Sequence, residues 1–159
     1  MDGVSQAALL GSVFQTVFEM DFDVQDPNQR IMMQKMVYLL MKMGVNCGDY
    51  QFYWDKFGPF SIDLCYDMRG KVETDGAFTF SDDGKKAMEM LKEVFLESTV
   101  YPVHHWVEAI GSLEYLRDSV YPSANDDKLA RKLVARKDYL DNQGENEKAL
   151  KKVHELCPL

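Results

Sequence analysis

A chain of 159 residues is long enough to bury a sizeable core and short enough for one domain. Its 46% apolar and 28% charged residues match an ordinary globular protein, and nine Phe, eight Tyr and two Trp argue against disorder. Twenty-six acids against eighteen bases leave a formal charge of −8, which disfavours a generic nucleic-acid or anionic-membrane binder.

Helical periodicity opens the chain, with Ala7, Leu10, Val13, Phe14, Val17 and Phe18 recurring at three- and four-residue spacing. The acidic stretch at residues 21–25 ends that helix, and Asp26-Pro27 starts a second as N-cap and first-turn proline. This second helix carries Ile31, Met32, Met36, Leu39, Leu40 and Met43, and Gly44 closes it. Tyr50-Gln51-Phe52-Tyr53-Trp54 has the aromatic content of a strand. Phe57-Gly58-Pro59-Phe60 breaks it, and Ser61 caps a short helix that reaches Met68 or Arg69 before Gly70. Residues 71–81 form two short extended pieces around Asp75-Gly76, a hairpin signal.

Ser81-Asp82-Asp83 opens the next helix, with Ala87, Met88, Leu91, Val94 and Phe95 on its inner face. Pro102 precedes a helix with the seam Val103, Trp106, Val107, Ile110 and Leu113. Tyr121-Pro122-Ser123-Ala124-Asn125 is linker-like, and helices over residues 126–141 and 145–156 follow. Met36, Leu39, Leu40, Trp54, Leu64, Phe80, Leu91 and Phe95 are expected to share one core. The first residues lack a basic leader, and no apolar run approaches membrane-spanning length. Three widely spaced cysteines, Cys47, Cys65 and Cys157, suit neither a disulfide framework nor a zinc knuckle. A reducing cytoplasm is the expected location.

Helix, aromatic strand, short helix, hairpin and long helix follow one another in the order of a winged helix. Ala77-Phe78-Thr79-Phe80-Ser81-Asp82-Asp83-Gly84-Lys85-Lys86 looks like the wing-to-helix junction of winged-helix regulators. Met33-Gln34-Lys35-Met36-Val37-Tyr38-Leu39-Leu40 is similar to the Leu-Gln-Lys-Leu-x-Tyr helix of antitoxin-like Panacea domains. Tyr53-Trp54-Asp55-Lys56-Phe57-Gly58-Pro59-Phe60-Ser61 resembles their aromatic strand ending in Tyr-Gly-Pro. Its Gly-Pro-Phe-Ser form, with Leu64 three residues on, more closely resembles the uncharacterised bacterial YwgA-like family. The similarity spans about residues 31–95.

It implies a mainly α fold with a winged-helix-like core over about residues 27–97 and a small β wing. Flanking N- and C-terminal helices complete a single domain of residues 1–159, the C-terminal extension covering about residues 102–156. Panacea domains are associated with neutralising toxins through protein contacts. The resemblance therefore implies a non-enzymatic, antitoxin-like or adaptor-like module with a protein partner. A DNA-reading winged helix has two helices before its wing, and here Tyr50-Gln51-Phe52-Tyr53-Trp54 stands where one would be.

Few residues suggest chemistry. Phe57, Gly58, Pro59, Phe60 and Ser61 read either as a partner-binding corner or as a tight turn in which Pro59 fixes φ and Ser61 caps a helix. On the following helix Ile62, Cys65, Tyr66 and Met68 offer apolar contacts, while Asp63 and Asp67 stand one turn apart. Carboxylates there oppose duplex phosphates, so tight DNA binding is not expected. Eleven acids against six bases in residues 1–80 point the same way. Lys56, Arg69 and Lys71 are the candidate phosphate contacts should the alternative, a DNA-binding regulator, hold. A third alternative is an enzyme whose site is assembled from distant residues.

His104-His105 lies one turn before Glu108, but adjacent histidines point to different faces and no zincin pattern is present. Cys65 is expected to be a buried, inert thiol. Gly84-Lys85-Lys86 lacks the preceding glycine of a phosphate loop. No metal or organic cofactor is expected. Lys128, Arg131, Lys132 and Arg136 form a basic helical stripe, with Lys137 beside it. It is either a solvated face or a surface for an acidic partner or RNA.

Overall fold

Helix α1 (Gly3–Phe18) buries Leu10, Val13, Phe14 and Val17, the seam its spacing predicts. The computed structural model describes residues 3–70, 78–97 and 99–158. Helix α2 (Pro27–Lys42) starts where Asp26 accepts hydrogen bonds from the amides of Asn28 (2.9 Å) and Gln29 (3.4 Å), with Pro27 in the first turn. It stops at Gly44, whose φ of +90° lies in the left-handed region that glycine tolerates. From Met32 to Leu40 every residue of α2 is buried, so α2 is the central strut of the fold.

Strands β1 (Tyr53–Asp55) and β2 (Gly58–Phe60) pair antiparallel, Tyr53 opposite Phe60 and Asp55 opposite Gly58. Helix α3 (Ile62–Asp67) is capped by Ser61, whose hydroxyl accepts from the Leu64 amide at 3.2 Å. Helix α4 (Asp82–Phe95) is capped the same way by Ser81 onto Gly84 at 3.0 Å. Helix α5 (Val103–Tyr115) runs on into a π-helical turn over Leu116–Val120. Helices α6 (Asp126–Arg136) and α7 (Gln143–Leu156) start at Asn125 and Asn142, each of which accepts a backbone N–H on its side-chain oxygen.

The described residues thus form a mainly helical protein with one small two-stranded antiparallel sheet. No helix among them is long and apolar enough to cross a membrane. Phe18 stacks on Phe95 at 5.3 Å, joining α1 to α4, and Trp106 of α5 donates its indole N–H to the Val94 carbonyl at 2.9 Å.

Two expectations are corrected, and a third falls largely outside the described residues. Phe57-Gly58-Pro59-Phe60 does not merely end a strand: Gly58 turns the chain at a φ of +96° and β2 returns along β1. Pro59 is tolerated because a two-stranded sheet leaves each strand with a free edge. The expected wing at residues 71–81 falls largely on residues 71–77, outside the described residues, and residues 78–80 are neither helix nor strand. Helix α6 ends at Arg136 rather than at residue 141, since Lys137 leaves helical geometry (φ −139°, ψ 90°) as its ammonium turns inward. Of the expected core, Met36, Leu39, Leu40, Leu64, Leu91 and Phe95 are buried, while Trp54 and Phe80 are half-buried at its margin.

Candidate functional site

Gln34 and Lys35, adjacent on α2, bind opposite sides of one corner. The Gln34 amide donates to the Ser61 carbonyl and accepts from the Ser61 N–H, both at 2.9 Å, which fastens the β2–α3 junction to α2. Lys35 runs between α5 and β2 and is 1% exposed. Two glycines let it through. A Cβ on Gly111 would stand 2.7 Å from Lys35 Cγ, and one on Gly58 would collide with Ser112 Oγ. Ser112 Oγ is itself buried with no hydrogen-bond partner among the described residues.

Behind Lys35 lies an ionic cluster. Glu108 of α5, 1% exposed on its side chain, faces the Lys137 ammonium at 3.3 Å and accepts a hydrogen bond from the Tyr139 hydroxyl. Lys137 also donates to the Lys56 carbonyl at the hairpin tip and lies 4.9 Å over the Trp54 ring. Burial lowers the Lys137 pKa and Glu108 opposes that, while burial and then Glu108 raise the Tyr139 hydroxyl. Lys35 has no hydrogen-bond or ion-pair partner among the described residues. Burial pulls its pKa down to about 7, opposed by Glu108 and Asp55 and assisted by Lys137.

Lys35 forms part of the lining of a pocket of about 330 Å³ between α2, the hairpin and α3. Ile31, Phe57, Phe60 and Met68 give it apolar walls. Arg30, Arg69 and Asp55 add charge, so three cations stand against one carboxylate. Cys65 also lines it, half-exposed rather than buried as expected, with the Arg69 guanidinium 3.8 Å from its sulfur. Cys47 and Cys157 are buried free thiols, pushed up to about 11 and about 12 by desolvation.

Of the sequence candidates, Phe57 and Phe60 line this pocket, Gly58 and Pro59 are buried in β2, and Ser61 is the buried cap. Lys56 is exposed with its ammonium 5.3 Å over the Phe57 ring, Arg69 is exposed, and Lys71 lies outside the described residues. Asp67 accepts from the Tyr50 hydroxyl at 2.8 Å, which in turn accepts from Gln6 at 2.7 Å. On α6, Lys128 is exposed and Arg131 pairs with Asp127 at 2.9 Å. Lys132 lies 5.2 Å over the Tyr121 ring. Arg136 donates to the Tyr121 hydroxyl at 2.8 Å and sits 5.5 Å from the Trp54 ring centre, so the basic stripe meets the hairpin. Aromatic partners for these cations therefore come from other elements.

The rings of His104 and His105 are 4.3 Å apart, and His105 lies 5.3 Å from the Tyr139 ring. Glu108 turns inward to Lys137. No group of three or more His, Cys, Asp or Glu side chains that could hold a metal occurs among the described residues. His154 contacts the Asp126 carboxylate at 2.9 Å, joining α7 to the start of α6.

Sequence reasoning missed Lys35, Glu108, Ser112 and Tyr139. A signal existed for the first: Gln34 and Lys35 are the strongly polar residues in an otherwise apolar run from Ile31 to Met41. A helix apolar on every side must bury its polar members too. Comparison with protein families, curated proteins and solved structures finds no match.

Proposed function

We propose that the protein is a non-enzymatic interaction module, antitoxin-like or adaptor-like, with a winged-helix-like core and a protein partner. The observation that carries this is that the hairpin and α3 leave three large apolar side chains exposed to water. Tyr53, Ile62 and Tyr66 are 43%, 49% and 72% exposed, beside half-buried Phe57 and Phe60. Large apolar side chains left in water on adjoining elements favour a partner that covers them. The two segments that resemble Panacea and YwgA-like domains meet here, since Gln34 grips Ser61. Asp63 and Asp67 on α3 disfavour duplex phosphates, so DNA binding is weak in this reading.

The test is recovery of a partner from the source cells on the tagged full chain, followed by reconstitution with the purified partner. A stoichiometric complex that survives moderate salt and weakens at least about tenfold on Tyr66→Asp is the expected result. Equal recovery by wild type and Tyr66→Asp would overturn it. So would submicromolar duplex-DNA binding that is lost on Arg69→Ala.

A further inference from the structure

The pocket beneath the hairpin combines a small-molecule volume, apolar walls and a local reversal of charge. About 330 Å³ is the lower end of the range for small-ligand sites. Within a chain of net charge −8, Lys35, Arg30 and Arg69 outnumber Asp55 in its lining. Lys35 is the unusual member. Its side chain is 1% exposed, it reaches the pocket between two glycines, and its ammonium meets no hydrogen-bonding partner among the described residues. A buried cation without a partner is costly unless something completes it.

We propose that this pocket binds a small apolar carboxylic acid, aromatic or branched aliphatic, as its carboxylate. The carboxylate lies toward Lys35, and the hydrocarbon body packs against Phe57, Phe60 and Met68. Arg30 and Arg69 add long-range attraction for the anion. Asp55 in the lining and Glu108 behind Lys35 select a monoanion over a dianionic phosphate, which both would repel. Glu108 attracts Lys35 electrostatically but makes no hydrogen bond to it, and its Oε2 already meets Lys137 and Tyr139. The site shares Phe57 and Phe60 with the docking surface proposed above but not its exposed residues Tyr53, Ile62 and Tyr66.

Proton uptake gives the site a signature. The charged groups facing Lys35 are Glu108 from α5, Lys137 beyond α6 and Asp55 from β1, and burial outweighs the two carboxylates so that its pKa lies well below the ordinary lysine value. An arriving carboxylate raises that pKa, so binding at neutral pH is accompanied by proton uptake.

Calorimetry of the full chain with 3-phenylpropionate and 4-methylpentanoate, in two buffers of different ionisation enthalpy, tests this. The corresponding amides serve as controls. Saturable binding of at least one acid, with its amide at least about tenfold weaker and with proton uptake, is the expected result. Lys35→Met should weaken the acid at least about tenfold, Arg69→Gln should weaken it about two- to threefold, and Tyr66→Asp should leave it unchanged. No saturable binding of either acid in the millimolar range, equal binding of acid and amide, or no proton uptake would overturn the proposal. If Lys35→Met fails to fold, Arg69→Gln at an exposed position and the proton count decide.

Discussion

Between α1 and α4 the interior is hydrocarbon: Phe14 meets Phe18 at 4.6 Å, and Phe18 stacks on Phe95 at 5.3 Å. Between α2, α5 and the hairpin the interior is ionic, with Lys35, Glu108 and Lys137 each no more than 2% exposed. The apolar half is stabilised in proportion to area removed from water and tolerates approximate shapes. The ionic half gains little net stability, because desolvation offsets most of the attraction, and it works only when each partner is in place. Its glycines show the same demand, since Gly58 and Gly111 lie against Ser112 and Lys35 with no room for a Cβ. The half that contributes least to folding is the half that shapes the pocket.

Replacing one group in each half sharpens the contrast. Phe95→Ala removes a buried ring and should cost about 3–5 kcal/mol in urea unfolding. Glu108→Gln changes almost no volume, yet it should cost a similar amount, about 3–5 kcal/mol, because Lys137 is left buried and uncompensated. A loss below about 1 kcal/mol for Glu108→Gln would mean that the ionic half is solvated in solution. Glycine gives the next contrast. Gly58→Ala should cost about 2–4 kcal/mol through strain at positive φ and collision with Ser112. Gly11→Ala in α1 meets open space and should gain about 0.5–1 kcal/mol.

Lys35→Met should stabilise, by on the order of 1–4 kcal/mol at pH 6, since it replaces an unpaired buried cation with hydrocarbon. The sign follows from proton counts. Between about pH 7 and pH 10.5 the unfolded chain carries a proton on Lys35 that the native chain does not, so wild-type stability rises with pH there. The advantage of Lys35→Met is complete below about pH 7 and shrinks as pH rises toward 10.5, measured by unfolding across that window. At the small end, Arg131→Ala removes an exposed pair with Asp127 and should change stability by less than about 0.5 kcal/mol.

The same contrast explains what the sequence reveals. Apolar periodicity announces α1, α4 and the face of α5 because hydrocarbon burial repeats with the helix turn. The caps at Asp26, Ser61 and Ser81 are legible because each acts within three residues of itself. Lys137 reads as one more member of a basic helix because its partner Glu108 is 29 positions away and sequence spacing holds no trace of that pairing. Trp54 reads as core, but it lies on a hairpin at the margin with Arg136 across one face. Gly58-Pro59-Phe60 marks a sharp corner correctly, whereas its role in admitting Lys35 depends on α5 packing onto α2.

Lys35 makes no hydrogen bond among the described residues, and burial outweighs the pull of Glu108 and Asp55 on its charge. Labelling lysines with ¹³C at Cε and following Lys35 by NMR from pH 5 to pH 11, with Lys35→Met for assignment, measures this directly. A midpoint well below the ordinary lysine value, at about 7, is expected from burial. A midpoint at the ordinary lysine value, about 10.4, would contradict it, because Lys35 would then be solvated or paired and the pocket would have no free cation to offer.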